Sequence, residues 1–476
     1  MFSNDFFFIV DVDQSKVSLT TYDNRMNNLK QLRRSGLFDT NVPRYTSYPP
    51  ANHFGAQDGR THQSEWLSAV PDGSTVSLYI HIPFCKRLCW FCACRTQGTK
   101  SLRPVDAYVE NLLEELRLVR SKMRPNIALT RLHLGGGTPT ILSPQTMQRL
   151  LTRIFDAFDK ADDFEFSVEI DPTEASDALL NMLAANGMNR ASIGVQDFAP
   201  MVQEAIGRPQ TFEQTAHVVN VLRGAGVKSL NMDLLYGLPH QTLPGLSDTL
   251  QQVLSLQPDR LALYGYAHVP WMSKRQVMID ADALPDGETR FALAALAHEV
   301  LVADGFEAIG IDHFARPGDT LAIAQSKGTL RRNFQGYTDD TSEVLIGLGA
   351  SSISKFPQGY SQNAAATSAY VKHVLNGELA GMRGYKMTLQ DSVTARMIET
   401  LMCQFTLDAD ALATQFPAAD DLIRAKMKTI ADRFPDHFDA TPGRLIVKNA
   451  SRPLVRIFAH GLDAFESPDK RHSSAI

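Results

Sequence analysis

The stretch SLYIHIPFCKRLCWFCAC occupies residues 77–94 and joins a strand-like segment to a cluster of four cysteines. The whole chain of 476 residues contains only five cysteines, so nearly all of its sulfur-bearing thiols lie in this one loop. Dispersed cysteine pairs, which are typical of a secreted disulfide framework, are not present. The cluster therefore indicates a metal site in a reducing compartment, and we expect a cytoplasmic protein.

Composition restricts the classes of partner. The formal net charge is -5, and 44% of the residues are hydrophobic, as in an ordinary globular chain. An acidic balance gives no general attraction to nucleic acid or to anionic lipid, so we expect neither as a partner. The apolar run FFFIV at residues 6–10 lacks a basic flank and is too short to span a bilayer. We therefore expect no membrane association, and we expect a monomer.

Strand-like and helical patterns alternate along the chain. The strand-like segments are TVSLYIHIP, TRLHLGGG, FEFSVEID, RASIGVQ, SLNMDLLYG, RLALYGYAH and EAIGIDHFA. In the intervening helix VDAYVENLLEELRLV, Val105 and every third or fourth residue after it form an apolar face, with Glu114 and Glu115 predicted on the opposite face. Such repeats predict an α/β fold with a parallel sheet.

Past residue 355 the strand rhythm stops. The segments SVTARMIETLMCQF and DLIRAKMKTIADRF are amphipathic, and GRLIVKN has the pattern of a short hairpin strand. We therefore predict three parts: a partly loose N-terminal extension (1–42), a catalytic domain (43–355) and a smaller, mostly helical C-terminal domain (356–476). The lone Cys403 is predicted to be a small buried hydrophobic residue.

Chemically distinctive residues follow six successive predicted strands. Ligands of parallel α/β folds bind at the carboxyl ends of the strands, so these residues are candidates for one site. They are Cys85, Gly135 to Thr138, Glu169 with Asp171, Gln196, Asp233 with Gly237, and Ala267 with His268. Each one alone is also typical of a turn or a helix cap.

The cysteine spacing CxxxCxxCxC distinguishes two kinds of metal site. A structural zinc site takes cysteine pairs that are far apart in sequence, whereas here no second pair follows. Thiolates so close on one loop suit an iron–sulfur cluster. If Cys85, Cys89 and Cys92 are the ligands, one iron of a [4Fe–4S] cluster remains open, and zinc is the weaker alternative.

CxxxCxxC with an aromatic residue before its third cysteine resembles the signature of the radical S-adenosylmethionine (SAM) superfamily. The flanking motifs are similar to those of the oxygen-independent coproporphyrinogen III oxidases: PRYTSYP (43–49), YIHIPFC, LHLGGGTPT, VEIDP, GVQDF, NMDLLYGLP, DHFARP, NFQGYT and LMCQFTLD. The resemblance extends from residue 43 to beyond residue 405. It implies an incomplete parallel (βα) barrel of radical SAM type, a [4Fe–4S] cluster and two bound SAM molecules.

The resemblance also assigns residues to the cofactors. The family pattern gives the first SAM contacts to Tyr79, Gly136, Glu169 and Ile353. It gives the second SAM contacts to Phe91, Gly137, Thr138, Gln196, Arg208, Asp233 and Ala267. A guanidinium suits a methionine carboxylate, and a carboxylate suits ribose hydroxyls.

The implied activity is the anaerobic decarboxylation of two propionates of coproporphyrinogen III to vinyl groups, initiated by a 5′-deoxyadenosyl radical. The porphyrinogen would be the substrate, and a reductant such as flavodoxin or ferredoxin would supply electrons. Cys94 is predicted to be catalytic and not a cluster ligand, because a fourth cysteine ligand would occupy the coordination site on iron that SAM needs.

Alternatives remain open at this point. They are a haem-binding chaperone, a diverged radical SAM paralogue and a non-catalytic redox or metal-storage protein. Related chaperones typically have phenylalanine at the position of Cys94 and lack the 43–49 segment, so the sequence favours the enzyme. Arg44, Arg316, Arg331 and Arg332 are candidates for holding the substrate carboxylates, with solvated surface arginines as the alternative.

Overall fold

The computed structural model describes residues 29–56, 59–465 and 475 of the chain. Its main element is a twelve-stranded sheet. In chain order the strands are β1 (Thr75–Ile82), β2 (Ala128–Gly136), β3 (Asp159–Ile170), β4 (Arg190–Gln196), β5 (Ser229–Tyr236), β6 (Arg260–Gly265), β7 (Glu307–Ile309), β8 (His313–Ala315), β9 (Leu345–Leu348), β10 (Ile353–Phe356), β11 (Gly359–Asn363) and β12 (Gly381–Lys386). The suggestion that residues 1–25 are poorly integrated lies outside the described residues.

The sheet is parallel at its centre and antiparallel at both edges. The order of the strands is β12-β11-β10-β9-β1-β2-β3-β4-β5-β6-β8-β7. β9 and β1 to β6 run parallel to one another, and the strands outside them pair antiparallel. The two edge strands, β12 and β7, do not pair with each other. The prediction of an incomplete parallel barrel is therefore confirmed.

One predicted strand is divided. EAIGIDHFA was expected to be a single strand, whereas the structure has the two antiparallel strands β7 and β8. Gly310 lies between them with φ of +58°, a left-handed conformation that reverses the chain and that glycine adopts without strain. The expectation of a single strand was wrong because it overlooked this turn.

Helices connect the parallel strands. Their bounds are Gly59–Ala69, Arg103–Lys122, Pro144–Ala157, Asp177–Ala185, Pro200–Ala205, Phe212–Gly224, Leu243–Ser255, Gly287–Ala303, Thr320–Ser326, Thr367–Leu375, Leu389–Gln404, Ala409–Gln415, Asp420–Arg433 and Val455–His460. Several begin at a side-chain cap: Ser143 accepts from the Thr146 amide, and Thr211 and Gln214 form a capping box. In the described part of the chain, no helix is long and apolar enough to cross a bilayer.

The two faces of the sheet have different surroundings. In β1, Val76, Leu78, Ile80 and Ile82 are at most 1% exposed and belong to the main hydrophobic core. The period of two in a strand turns Tyr79 and His81 to the opposite face. The helices therefore cover one face, and the other face supplies polar side chains.

The helix Arg103–Lys122 both confirms and corrects its predicted pattern. The apolar face is confirmed, because Val105, Tyr108, Leu112, Leu116 and Val119 are all buried. The prediction for Glu115 was wrong, since this side chain is fully buried.

The Glu115 carboxylate accepts hydrogen bonds from the Gly349 amide at 2.7 Å, the Asn363 side chain at 2.6 Å and the Tyr370 hydroxyl at 2.8 Å. Burial raises the pKa of Glu115 to about 7, although these three donors oppose the rise. All three partners lie far along the chain, so a helical period alone gives no sign of them.

A second core contains the C-terminal helices. Residues 393–462 pack there around Phe458, together with Leu32, Leu37 and Val42 of the N-terminal segment. The strands Thr406–Asp408, Arg444–Val447 and Phe438–Thr441 form a small antiparallel sheet, which confirms the strand expected at GRLIVKN. The main sheet continues to Lys386, and the domain boundary proposed at residue 355 lies inside its strand β10. Cys403 is 1% exposed, as predicted.

Tyr108 joins the helix Arg103–Lys122 to the end of β1. Its hydroxyl donates to the carbonyl of His81 at 2.9 Å and accepts from the amide of Ala350 at 2.8 Å. Tyr108→Phe leaves these two buried backbone groups without this partner, and we expect the free energy of unfolding to fall by about 1–3 kcal/mol. Denaturant unfolding under anaerobic conditions measures the loss, and an unchanged midpoint would contradict this role.

Candidate active site at the carboxyl ends of the strands

A cavity of about 430 Å³ opens at the carboxyl ends of the parallel strands. Side chains from β2, β3, β4, β5 and β6 line it, together with the cysteine loop. Strands that are four positions apart in the sheet border one cavity, so the sheet curves around it. The prediction that strand-end residues share one site is consistent with this arrangement.

The cysteine loop is held through its backbone. The Trp90 amide donates to the carbonyl of Ile206 at 2.9 Å, and the short strand Phe84–Cys85 pairs with Gln97–Gly98. The segment 273–276 binds three loop carbonyls. Ser273 donates to Cys92 at 3.0 Å, Gln276 to Phe91 at 2.8 Å and Arg275 to Cys94 at 2.8 Å. The loop therefore has a defined position in the described structure.

All four thiols of the loop line the cavity. Cys89 is buried and Cys94 is exposed, with Cys85 and Cys92 between these extremes. Burial raises the pKa of Cys85 to about 11, while the Thr138 hydroxyl opposes the rise. A hydrogen bond with the Cys94 side chain lowers the pKa of Cys92 to about 6 and raises the pKa of Cys94.

A cation lies beside these thiols. Arg208 Nη1 is 3.5 Å from Cys89 Sγ and 3.0 Å from Asp171 Oδ2, and Nη2 donates to the Gly194 carbonyl at 3.0 Å. A guanidinium at this distance suits a thiolate, and thiolates are the ligands of iron–sulfur clusters. Among the described residues, no three His, Cys, Asp or Glu side chains converge on a single ion. Thiols spaced along one loop suit a cluster in which each cysteine binds a separate iron.

The GGGT segment approaches the cysteine loop closely. The Gly137 amide donates to the Ile82 carbonyl and the Thr138 amide to the Phe84 carbonyl, both at 2.8 Å. A Cβ on Gly137 would lie 2.6 Å from the Phe84 carbonyl oxygen, so only glycine fits here. The backbone thereby presents Gly136, Gly137 and Thr138 to the cavity.

Glu169 is the centre of a polar group on the cavity side of β3. Its Oε1 is 3.3 Å from His133 Nε2, and its Oε2 accepts from the Gly136 amide at 3.1 Å. Burial alone would raise the pKa of Glu169, but His133 and the Gly136 amide bring it below its usual value. Tyr79 stacks on His133 with ring centroids 5.8 Å apart, so it lies directly behind this group.

Asp233 and Gln196 lie on the neighbouring strands. Asp233 accepts from the Ser192 hydroxyl at 2.9 Å and from the Asn231 side chain at 2.8 Å. Burial raises the pKa of Asp233, and these two donors oppose the rise. Gln196 ends β4 with φ of +69° and lines the same cavity. Both carboxamide and carboxylate groups are thus available to a ligand's hydroxyls.

The structure brings most predicted site residues to one cavity. Twelve line it: Cys85, Cys89, Phe91, Cys92, Cys94, Gly136, Gly137, Thr138, Glu169, Gln196, Arg208 and Asp233. Tyr79, Ala267 and Ile353 are not among its lining residues. Ala267 is nevertheless linked to the loop, because Gln276 Nε2 donates to the carbonyls of both Ala267, at 3.1 Å, and Phe91. Ile353 begins β10, which lies two strands from β1.

Sequence analysis missed His133, which lies within hydrogen-bond distance of Glu169, and Ser167, which contacts His133 Nδ1 at 2.6 Å. A signal was present in the strand TRLHLGGG. His133 lies between the buried Leu132 and Leu134, so the alternation of a strand turns it to the same face as Gly135.

Comparison with known proteins gives a consistent result. The model of the Radical SAM superfamily matches residues 79–253. The oxygen-independent coproporphyrinogen III oxidase of Paracoccus denitrificans is 51% identical, covering 95% of this chain and 100% of that protein. An anaerobic coproporphyrinogen III oxidase of Cereibacter sphaeroides is 50% identical over 94% of this chain.

Among solved structures, one of similar shape comes from Escherichia coli. It is coproporphyrinogen III oxidase, described as a radical SAM enzyme, with a TM-score of 0.85 and 35% sequence identity. The match covers 89% of this chain and 98% of that one. The similarity thus includes both the curved sheet and the C-terminal part.

Proposed function

This chain belongs to the family of oxygen-independent coproporphyrinogen III oxidases, and from that premise we propose its reaction. It converts two propionate side chains of coproporphyrinogen III to vinyl groups, giving protoporphyrinogen IX in haem biosynthesis. A 5′-deoxyadenosyl radical would take a hydrogen atom from the β-carbon of each propionate, after which carbon dioxide would leave and one electron would pass to an electron acceptor. The observation that carries the proposal is the placement of three CxxxCxxC thiols, the GGGT backbone and two carboxylates around one cavity.

The family implies a [4Fe–4S] cluster and SAM as cofactors. We propose that Cys85, Cys89 and Cys92 ligate three irons. The bound cluster supplies the electron that cleaves SAM to a 5′-deoxyadenosyl radical. Arg208 Nη1 lies 3.5 Å from Cys89 Sγ, and the backbone contacts of the loop fix the direction in which the thiols point.

Two SAM molecules are proposed to share the cavity. The first would contact Tyr79, Gly136, Glu169 and Ile353. The second would contact Phe91, Gly137, Thr138, Gln196, Arg208, Asp233 and Ala267. The ionised Glu169 suits an amino group or a ribose, and Arg208 suits a carboxylate, as charge-assisted pairs. The group of Glu169, His133 and Ser167 supports the first site, because it fixes the carboxylate in one orientation.

Cys94 is proposed to act on substrate rather than on iron. Its thiol lies within hydrogen-bonding reach of Cys92 and is exposed in the cavity, so it is placed beside the cluster and accessible to substrate. The same residue weighs against a haem-binding chaperone, since related chaperones typically carry phenylalanine there. The strength of the relationship to named oxidases supports the main proposal.

The electron donor is proposed to be an acidic carrier such as flavodoxin or ferredoxin, which would dock beside the cysteine loop. In the segment 271–278 the usual pattern of burial is inverted, because polar side chains are buried and apolar side chains are exposed. Its polar Ser273 and Gln276 are buried against the loop, whereas Trp271, Met272, Val277 and Met278 are 60–71% exposed. The exposed cation Lys274 lies within this segment, and Arg275 donates to the carbonyl of Cys94, the residue before the exposed Arg95. Such a surface suits a protein partner.

We further propose a cytoplasmic monomer that binds neither nucleic acid nor membrane, in keeping with the net charge of -5.

The docking proposal predicts a difference between donors. Trp271→Ala combined with Lys274→Glu should lower the rate with reduced flavodoxin by roughly tenfold, because it removes an exposed apolar contact and reverses a charge. The rate with dithionite, which needs no docking surface, should stay within about twofold of wild type. Leu375→Ala, at an apolar residue that is 72% exposed on another element, is the matched control. An equal loss with both donors would contradict the docking site.

The ligand proposal predicts two classes of cysteine variant. Serine at Cys85, Cys89 or Cys92 should remove the cluster absorbance and SAM cleavage together, because each change removes one of three thiolate ligands. Cys94→Ser should retain full iron and sulfide and lose only vinyl formation. The assay is anaerobic reconstitution with iron and sulfide, then incubation with SAM, reductant and coproporphyrinogen III.

Cys403→Ala is the control, since this thiol is buried in a separate hydrophobic cluster and should keep the full metal content. Loss of the cluster in Cys94→Ser would contradict the three-ligand proposal. Vinyl formation at the wild-type rate in that variant would show that Cys94 is not catalytic. A wild-type protein that cleaves SAM without forming vinyl groups would overturn the proposed substrate.

A further inference from the structure

A second cavity of about 390 Å³ adjoins the first. Tyr264 and His313 line both cavities, and the Tyr264 hydroxyl is 3.4 Å from His313 Nε2. The second cavity is bordered by the β6 end of the sheet, by Leu37 and Arg44 of the N-terminal segment, and by the C-terminal helices. Neither the cluster ligands nor the proposed SAM contacts line it.

The walls of this second cavity are apolar and cationic. Its apolar side chains include Leu37, Leu263, Phe291, Phe314, Phe405 and Val455. Its arginines are Arg44, Arg332, Arg452 and Arg456, and its carboxylates are Glu299 and Asp312. The four guanidiniums thus outnumber the two carboxylates. A ligand that combines apolar rings with negative charge has the complementary chemistry.

Arg332 is a buried arginine of this group whose hydrogen-bond donors are only partly satisfied. The residue is 8% exposed, and among the residues that the structure describes nothing accepts a hydrogen bond from its Nε or its Nη1. Its Nη2 donates to the Arg44 carbonyl at 3.5 Å, its Nη1 is 3.7 Å from Asp312 Oδ1, and its guanidinium lies 4.5 Å from the Tyr337 ring centroid. Buried donors without acceptors are costly, so this guanidinium suits an incoming anion.

The neighbouring charged groups do not satisfy the Nε and Nη1 donors of Arg332. Asp312 also accepts from His313 Nδ1 at 2.7 Å, so its carboxylate is shared. Arg456 donates to the carbonyls of Val42, Pro43 and Ala475. Burial, followed by the nearby Arg44 and Arg332, lowers the pKa of Arg456 to about 9. The positive charge is therefore concentrated around the cavity.

Two other arginines that the sequence analysis named, Arg316 and Arg331, differ from Arg332 in their partners. Arg316 pairs with Asp304 at 2.7 Å and stacks on Phe306. Arg331 pairs with Glu399 at 3.0 Å. Both have a carboxylate at contact distance and lie outside the two cavities. Sequence position alone does not separate them from Arg332.

We propose that this second cavity is a carboxylate subsite of the substrate, in which the buried guanidinium of Arg332 binds a propionate. The proposal rests on the proposed function. Four propionates enter the reaction and two become vinyl groups, so at least one retained carboxylate needs a binding site while another propionate reacts. The pyrrole rings would contact the apolar wall, and Tyr264 and His313 would lie between the held ring and the reacting one.

Arg332→Gln tests the subsite in the reconstituted enzyme. Loss of a charge-assisted contact should raise KM for coproporphyrinogen III by roughly ten- to a hundredfold. Cluster content should stay at the wild-type level. Arg332→Lys keeps the charge but not the planar array of donors, and it should give an intermediate KM. The matched control is Arg331→Gln, which should change KM by less than about twofold.

An Arg332→Gln enzyme with full cluster content and unchanged KM would overturn the proposal, as would an equal effect of Arg331→Gln. If Arg332→Gln does not fold, a structure of the wild-type holoenzyme with the stable analogue coproporphyrin III decides. It should place a carboxylate within hydrogen-bond distance of Arg332, and carboxylates bound elsewhere would refute the subsite. Vinyl formation by the wild type tests the proposed function separately, so the two failures are distinguishable.

Discussion

The central constraint concerns the cysteine loop. This short loop must direct several thiols towards the cavity while its own backbone stays hydrogen-bonded. A loop in this position cannot form a regular ladder, so its carbonyls need hydrogen-bond donors from elsewhere. The segment 273–276 supplies them: the side chains of Ser273, Arg275 and Gln276 donate to the loop carbonyls. The direction of the thiols, and with it the proposed cluster, depends on these contacts.

The remaining architecture serves this loop. Curvature of the sheet brings β2 to β6 around the same space, and the GGGT segment permits the backbone contact that a Cβ at Gly137 would prevent. Behind β1, Tyr108 joins a helix to the strand end. Packing of residues 32–48 with the C-terminal helices borders the adjoining cationic cavity. The two cavities therefore divide the proposed chemistry: cofactors in one and a retained carboxylate in the other.

Local sequence patterns were sufficient to predict much of this structure. Alternation in β1, turn residues at strand ends and the cysteine spacing each depend on neighbours in sequence, and they predicted the parallel sheet and most of the cavity lining. Contacts between distant residues were not predictable in the same way. Glu115 is buried because Gly349, Asn363 and Tyr370 surround it. Likewise, Arg332 differs from Arg331 only through what the fold places beside each side chain.

The most direct measurement is Mössbauer spectroscopy of the ⁵⁷Fe-reconstituted protein before and after addition of SAM. Three cysteine ligands on a four-iron cluster leave one iron chemically distinct, so SAM should change the signal of one iron in four and leave the others as they were. The same result is expected for Cys94→Ser. Four equivalent irons that do not respond to SAM would contradict the central claim, because they would show that no iron is open to the cofactor.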